Sequence, residues 1–340
     1  MQVTTKTLPP SLWRVRMHLW LKGMGQSWST FRESPIGVTG LVIIVFFGLL
    51  GAFYPIYPWF MGKIAWDQET IQKEGIDLNI VYNPIFGVGN DPLLIKGFPQ
   101  PPSLRHPLGT NADGPDVLAQ IMYSASREFL LGMMAALITV IIGTFIGAVA
   151  AYYGGWIDTL FMRLADVFVL FPPIAFLVVV SALVQRAGIE MTHMLLALIL
   201  GLLFGFGSIT IVLKSQALTI KVKPYIEAAR VAGGSSFHII FAHIIPNILP
   251  LSFLYMMFNV TTAIFSEAAL SFFGLLPSIN MSWGLMLFRA HTQGWILGHQ
   301  GAFYWWVWMP PGLAVTLLCS AFYLVGRGLD EIVNPRLRKR

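Results

Sequence analysis

Apolar residues in this chain gather into long charge-free stretches instead of alternating with polar ones. Between Pro35 and Gly62 the run IGVTGLVIIVFFGLLGAFYPIYPWF carries no charge, and similar runs recur to the end of the sequence. Crossing a hydrocarbon layer of about 30 Å takes roughly 20 helical residues. Further spans are therefore expected between Glu128 and Asp158, between Asp166 and Arg186, between His193 and Lys214, from about Ile248 to Glu267, and from about Tyr304 to Val325. With the first, these make six. Residues 268–288 (AALSFFGLLPSINMSWGLMLF) are also uncharged, but Pro277, Ser278 and Asn280 interrupt them. They read as a short outer helix or a re-entrant turn, because irregular backbone persists at membrane depth only when protein or water covers it.

The runs divide the chain into an N-terminal segment (1–35), a first span (36–60), an insert with an entry helix (61–127), a core of spans (128–326) and a tail (327–340). A polar interruption at 214–247 breaks the core. The N-terminal segment is too long and too basic for a secretory signal, so the first span is expected to be retained. With that end inside, fifteen of the twenty-two Lys and Arg residues fall on inner segments. Most of the rest sit in one outer segment of more than sixty residues, where charge carries little topological weight. Both termini, and the 214–247 loop, are thus expected in the cytoplasm. Trp59, Trp66, Trp156, Trp283, Trp295, Trp305, Trp306 and Trp308 lie near span ends, as interfacial anchors do.

Composition agrees with a membrane protein. Hydrophobic residues make up 56% of 340, charged residues 11%, and mean hydropathy is +0.68, a balance that water-exposed surface could not accommodate. The fold class expected is all-α and polytopic. The net charge of +6 is spread over short connecting segments, which argues against a nucleic-acid-binding face. Cys319 is the only cysteine and lies in an apolar run, so no intramolecular disulfide forms and an inert thiol is expected.

The inner loop carries the most unusual stretch, EAARVAGGSSFHIIFAHIIP, residues 227–246. Pro224 suits the first turn of a helix, and Glu227 lies near enough to that end to favour its dipole. Ala228 and Ala229 keep one face shallow. Gly233 and Gly234 end the helix, since glycine accepts the left-handed turn required there. Ser235 or Ser236 can cap a second helix bearing Phe237, Ile240, Phe241 and Ile244, with Pro246 at its junction with the fifth span. A small, stiff, exposed two-helix elbow results. On local physics alone it could equally be an ordinary capped loop.

This stretch resembles the EAA loop of ABC-importer permeases, the membrane subunits of binding-protein-dependent uptake systems. Glu227, Ala228, Ala229, Gly233 and Pro246 match that motif, and HIIPN is similar to the form found in the dipeptide/oligopeptide subgroup. HPLGTNADGPDVLAQIMYSAS from His106, AAYYGGWIDTLFMRLADVFVLFPP from Ala150, EAALSFFG from Glu267, SWGLML from Ser282 and NPRLRKR from Asn334 resemble the second permease type of that subgroup. The fourth span lacks the usual Trp and Ala-Arg pair, and the insert from about Trp59 to Arg105 carries no nameable motif. The resemblance implies a type I importer permease fold in the inner membrane, forming half of a pathway with a second homologous permease. It also implies two separate ATPases that bind ATP and Mg, and an extracytoplasmic solute-binding protein. Glu227 would touch the ATPase, with Ala228, Ala229 and Gly233 allowing close seating. Peptides are the implied cargo, with oligosaccharides, glutathione or nickel chelates as alternatives.

The chain has no G-x-x-x-x-G-K-[ST] phosphate loop, so it is not expected to bind ATP, hydrolyse it or hold a cofactor. Glu267, near the outer end of the fifth span, is a candidate intramembrane functional residue or a helix-end acid bonded to backbone. Arg163 and Asp166 are expected to form an i,i+3 ion pair. Gly143 with Gly147, and Gly201 with Gly205, have the spacing of close helix packing. His291 and His299 lack ligand spacing, so no metal site is expected. A secondary carrier or a membrane enzyme remain alternatives, but neither mid-span charge pairs nor an H-E-x-x-H cluster is evident.

Overall fold

A computed structural model describes residues 25, 28–85, 99–276, 281–298 and 303–333. The described residues form helices joined by turns, and an isolated bridge between Thr110 and Asp116 is the extended pairing seen among them. The order is α1 (Pro35–Phe53), a 3-10 turn (Tyr54–Ile56), α2 (Tyr57–Ile64), α3 (Gln68–Glu74), α4 (Leu78–Val81), α5 (Val117–Tyr153), α6 (Gly155–Leu170) and α7 (Pro173–Arg186). There follow α8 (His193–Phe206), α9 (Ser208–Lys221), α10 (Pro224–Val231), α11 (Ser236–His238), a π turn (Ile239–Ile244), α12 (Ile245–Phe272), α13 (Trp283–Thr292) and α14 (Trp305–Val333).

Among the described residues four continuous helical segments are long and apolar enough to cross a membrane, at Pro35–Ile64, Val117–Tyr153, Ser236–Phe272 and Trp305–Glu331. The count reaches six when each of two bent pairs is taken as one span. Those pairs correct the expected third and fourth spans. The third is not a straight helix from Asp166 to Arg186: α6 starts at Gly155 and meets α7 at 89°. Phe171 and Pro172 turn extended there (ψ 127° and 115°), because each precedes a proline and is pushed out of the helical region. The fourth bends by 45° at Gly207, whose ψ of −130° interrupts the run between α8 and α9.

α5 is the central element and packs on α1, α8, α9 and α12. Its 37 residues span about 55 Å. Asp116 starts it, accepting the Ala119 backbone N–H at 2.7 Å, and Gly154 ends it with φ +66°. The paired glycines act as the spacing suggested. A Cβ on Gly147 would lie 2.8 Å from the Lys214 backbone nitrogen of α9, and one on Gly201 would lie 2.6 Å from Ile138 of α5. Gly143 meets Ile209, and Gly205 meets Ile142, in the same way. Small residues thus let α8 and α9 lie close along α5.

The two ends of α5 carry different structures. At its N-terminus the insert is more ordered than a loop. Its short helices bury Trp66, Ile76, Val81 and Tyr82 against Tyr57, Met61, Ala119 and Met122. Asp116 joins them, accepting from the Tyr57 hydroxyl (3.3 Å) and lying 2.9 Å from His106 Nδ1. Two of the expected interfacial tryptophans are core residues instead. Trp66 donates to the Tyr82 hydroxyl at 3.0 Å, and Trp283 is fully buried and donates to the Ile121 carbonyl at 3.2 Å. Burial is possible because each indole N–H finds an acceptor. Trp59 and Trp156 are exposed, as anchors require. The uncharged stretch after Glu267 continues α12 to Phe272, turns at Gly274 (φ +71°) and forms the short helix α13; residues 277–280 lie outside the described part.

Candidate functional site

At the other end of α5 sits the elbow. α10 begins with Pro224 in its first turn and carries Glu227 there. It ends as the sequence suggested: Gly233 is left-handed (φ +82°), its N–H bonds to the Arg230 carbonyl, and the Gly234 N–H bonds back to the Ala229 carbonyl, both at 3.0 Å. This double closure satisfies two carbonyls that a helix end leaves open. Gly234 is needed for a second reason, since a Cβ on it would lie 2.7 Å from the Ala229 oxygen. Ser235 then caps α11, accepting the His238 N–H at 3.2 Å.

The second limb differs from expectation. It is not a separate helix joined at Pro246, because α11, the π turn and α12 run on as one segment from Ser236 to Phe272. Pro246 lies in the first turn of α12, directly after the π turn, where the Ile245 N–H reaches the Ile240 carbonyl. The wider turn accommodates a ring that would otherwise collide with the carbonyl four residues earlier. This limb is therefore continuous with the fifth span.

Two faces of the elbow have opposite characters. Ile226, Ile239, Ile240 and Ile244 are buried inward against Ala148, Ala151, Ala217, Ile220 and Ile248, which bolts the elbow to α5, α9 and α12. Lys221 adds a hydrogen bond of 2.9 Å to the Ala151 carbonyl near the end of α5. Outward, Glu227, Ala228, Gly233 and Pro246 are exposed and Ala229 is half-buried. Val222, Pro224, Glu227, Ala228, Val231 and Ala232 line an open hollow of about 580 Å³, with Val231 84% exposed. The helix is thus anchored on one side and presents a shallow apolar outer face with one acid near its N-terminus on the other.

Glu267 is a different case. It is completely buried on α12, and the Ser271 hydroxyl donates to its Oε1 at 2.6 Å, a side-chain bond in place of the backbone bond expected of a helix-end acid. Facing it is Glu128 of α5, which the sequence reading had used only to mark a span boundary. An acid inside the apolar run SASREFLLG was the available signal, but its partner lies on a distant segment and no local spacing reveals it.

Comparison with known proteins turns this geometry into a classification. Residues 143–339 match the family described as the inner membrane component of binding-protein-dependent transport systems. The chain belongs to this family. It is 28% identical over 314 residues to the dipeptide transport system permease protein DppC of Bacillus subtilis, covering 92% of this chain and 86% of that one. It is 31% identical over 238 residues to the glutathione transport system permease protein GsiD of Pectobacterium atrosepticum, covering 70% and 75%. A Brucella suis protein, provisionally named a peptide transport system permease, is 33% identical over 240 residues, covering 70% and 76%.

In this multi-pass inner membrane component, the remaining candidate residues are structural or solvated. Arg163 and Asp166 form no ion pair among the described residues, although both are exposed. Lys214 of α9 instead pairs with Asp158 of α6. His291 packs against Phe272, with ring centroids 5.6 Å apart, and His299 lies outside the described residues. Among the described residues no group of three or more His, Cys, Asp or Glu gathers as a metal site would require.

Proposed function

We propose that this chain is a permease subunit of an ATP-driven importer of di- or oligopeptides, supplying half of the translocation path and drawing on ATP hydrolysis in a separate subunit through the elbow at 224–246. The observation that carries the proposal is the two-faced elbow: isoleucines fix it to α5, α9 and α12, while Glu227, Ala228 and the apolar rim stand open. Because the second limb runs unbroken into α12, a displacement imposed on the elbow is transmitted directly into a span. The absence of a phosphate loop supports placing hydrolysis in another polypeptide. Peptide cargo is supported by the names of the relatives, two of which specify a dipeptide and glutathione. The reading includes a homologous second permease, two ATPases, an extracytoplasmic solute-binding protein, and an elbow on the cytoplasmic side.

The test is uptake of a labelled dipeptide by cells lacking the gene and complemented with the wild type or with Ala228→Trp, glutathione serving as second substrate. The indole fills the hollow without entering the isoleucine core, so full-length protein is expected in the membrane with dipeptide uptake reduced at least tenfold. Uptake at the wild-type rate from Ala228→Trp contradicts the coupling role. Uptake of glutathione but not of dipeptide corrects the cargo and leaves the coupling intact.

A further inference from the structure

The buried acids on α5 and α12 are not explained by coupling. Glu128 is 1% exposed and Glu267 is 0% exposed, and the register of the α5–α12 contact, where a Cβ on Gly132 one turn after Glu128 would lie 2.9 Å from Ile264 one turn before Glu267, sets the two acids opposite each other. Only one of their four oxygens, Glu267 Oε1, receives a well-formed hydrogen bond, from Ser271. Neither oxygen of Glu128 has a donor in hydrogen-bonding geometry, nor has Glu267 Oε2. One helical turn before Glu128, on the same face of α5, the fully buried Ser124 hydroxyl is likewise without a partner. The start of α13 closes the site from a third side, with Ser282 toward Glu267 and the Trp283 backbone N–H toward Glu128. α13 is pressed so closely there that a Cβ on Gly284 would lie 2.5 Å from the Ala268 carbonyl oxygen.

Among the described residues no basic side chain balances these acids. None of the ion pairs among the described residues involves Glu128 or Glu267. Arg127, adjacent in sequence, lies over the Tyr123 ring at 3.6 Å. From α14 the titratable group facing Glu128 is the Cys319 thiol, which is committed to the Thr261 carbonyl at 3.7 Å. From α13 and α12 the facing groups besides Glu267 are the hydroxyls and the N–H already named. Two carboxylates side by side in a dry site cannot both be ionised, and a buried charge without a counter-ion must neutralise or find one. A metal ion would need more oxygen ligands than two carboxyls at a site where no third acid gathers. A single proton needs only the two facing oxygens.

We infer that Glu128 and Glu267 form a proton-binding dyad, one proton held between the two carboxyls and the remaining charge stabilised by Ser271 and by the N-terminus of α13. The proton ties α5, α12 and α13 together at one point. α5 and α12 are also the helices that bury the elbow at their other ends. The inference concerns the protein alone and is independent of the cargo.

Infrared difference spectroscopy on the purified transport complex in lipid nanodiscs tests it, comparing wild type with Glu128→Gln and with Glu267→Gln. The wild type is expected to show one protonated-carboxyl carbonyl band at neutral pH that is lost in both single variants and disappears from the wild type as pH rises. Thermal unfolding is the companion readout. The wild type is expected to lose stability over the same pH range in which the band disappears, because the proton lost there is the one that joins the helices. Each Gln variant, with one carboxyl left, is expected to show a flatter profile. Absence of the band, or sodium or calcium raising the unfolding temperature of the wild type but not of the variants, overturns the proton assignment. A band that persists in either single variant, or that no pH removes, overturns the shared dyad.

Discussion

Gly233 and Gly147 are both glycines for different reasons, and substitution separates those reasons. Gly233 has open space where a Cβ would stand but a φ of +82°, so Gly233→Val suffers strain of about 1–3 kcal/mol without any clash. The expected outcome is a protein that accumulates normally but retains less ATPase on co-purification, because the turn after α10 no longer closes. Gly147 has ordinary backbone but no room, so Gly147→Leu forces α5 and α9 apart at a cost of about 1–3 kcal/mol or more. A lower unfolding midpoint in detergent, by fluorescence-detected gel filtration, is the expected result. The i,i+4 spacing of glycines exposed the second role in the sequence, and the glycine pair after a helical pattern exposed the first. Trp66 and Trp283 were misplaced at this scale, because a sequence does not reveal whether an indole N–H will find the Tyr82 hydroxyl or the Ile121 carbonyl.

Elements were legible where their signals are local. The start and stop of the elbow came from Pro224 and the glycine pair, and of the two cap candidates, Ser235 and Ser236, the structure uses Ser235. The breaks inside spans were less legible, since hydrophobicity sets where a chain can cross and says nothing about its direction. Only Pro172–Pro173 and Gly207 mark the two bends, and nothing local distinguishes a kink from a corner of 89°. The elbow's second limb escaped for a related reason: Pro246 reads as a junction, yet a π turn absorbs it. The anchoring face gives a prediction at this scale. Ile226→Ala removes a fully buried side chain from the isoleucine cluster, at a cost of about 2–4 kcal/mol, and is expected to free the elbow while the spans remain folded. Hydrogen exchange should rise at residues 224–246 and stay unchanged in α5, whereas Val231→Ala on the open face should alter neither.

For the whole molecule, the hydropathy pattern was enough for an all-α polytopic protein; the six crossings it predicts compare with four continuous apolar helices among the described residues, or six when each bent pair counts as one span. The arrangement of the crossings around α5 was not, because the contacts that set it join distant segments: Gly147 with Lys214, Thr144 with Ser252, Glu128 with Glu267. The insert and the elbow occupy opposite ends of α5, and the proposed orientation puts the elbow on the cytoplasmic side. Single cysteines at Asn79 in the insert and at Val231 in the elbow are expected to react with a membrane-impermeant maleimide from opposite sides, Asn79→Cys from outside intact cells and Val231→Cys only after lysis.

The central claim is that a separate ATP-hydrolysing subunit grips the elbow. Photo-cross-linking from a benzophenone maleimide attached to Val231→Cys in the assembled complex, which needs no thiol on the partner, tests it most directly, with the wild type, whose only thiol is Cys319, as control. The account predicts a cross-linked product containing the ATPase from Val231→Cys and none from the wild type or from Asn79→Cys. No cross-link from the elbow in a complex that still hydrolyses ATP and imports its cargo, or labelling of Val231→Cys from outside intact cells, would contradict it.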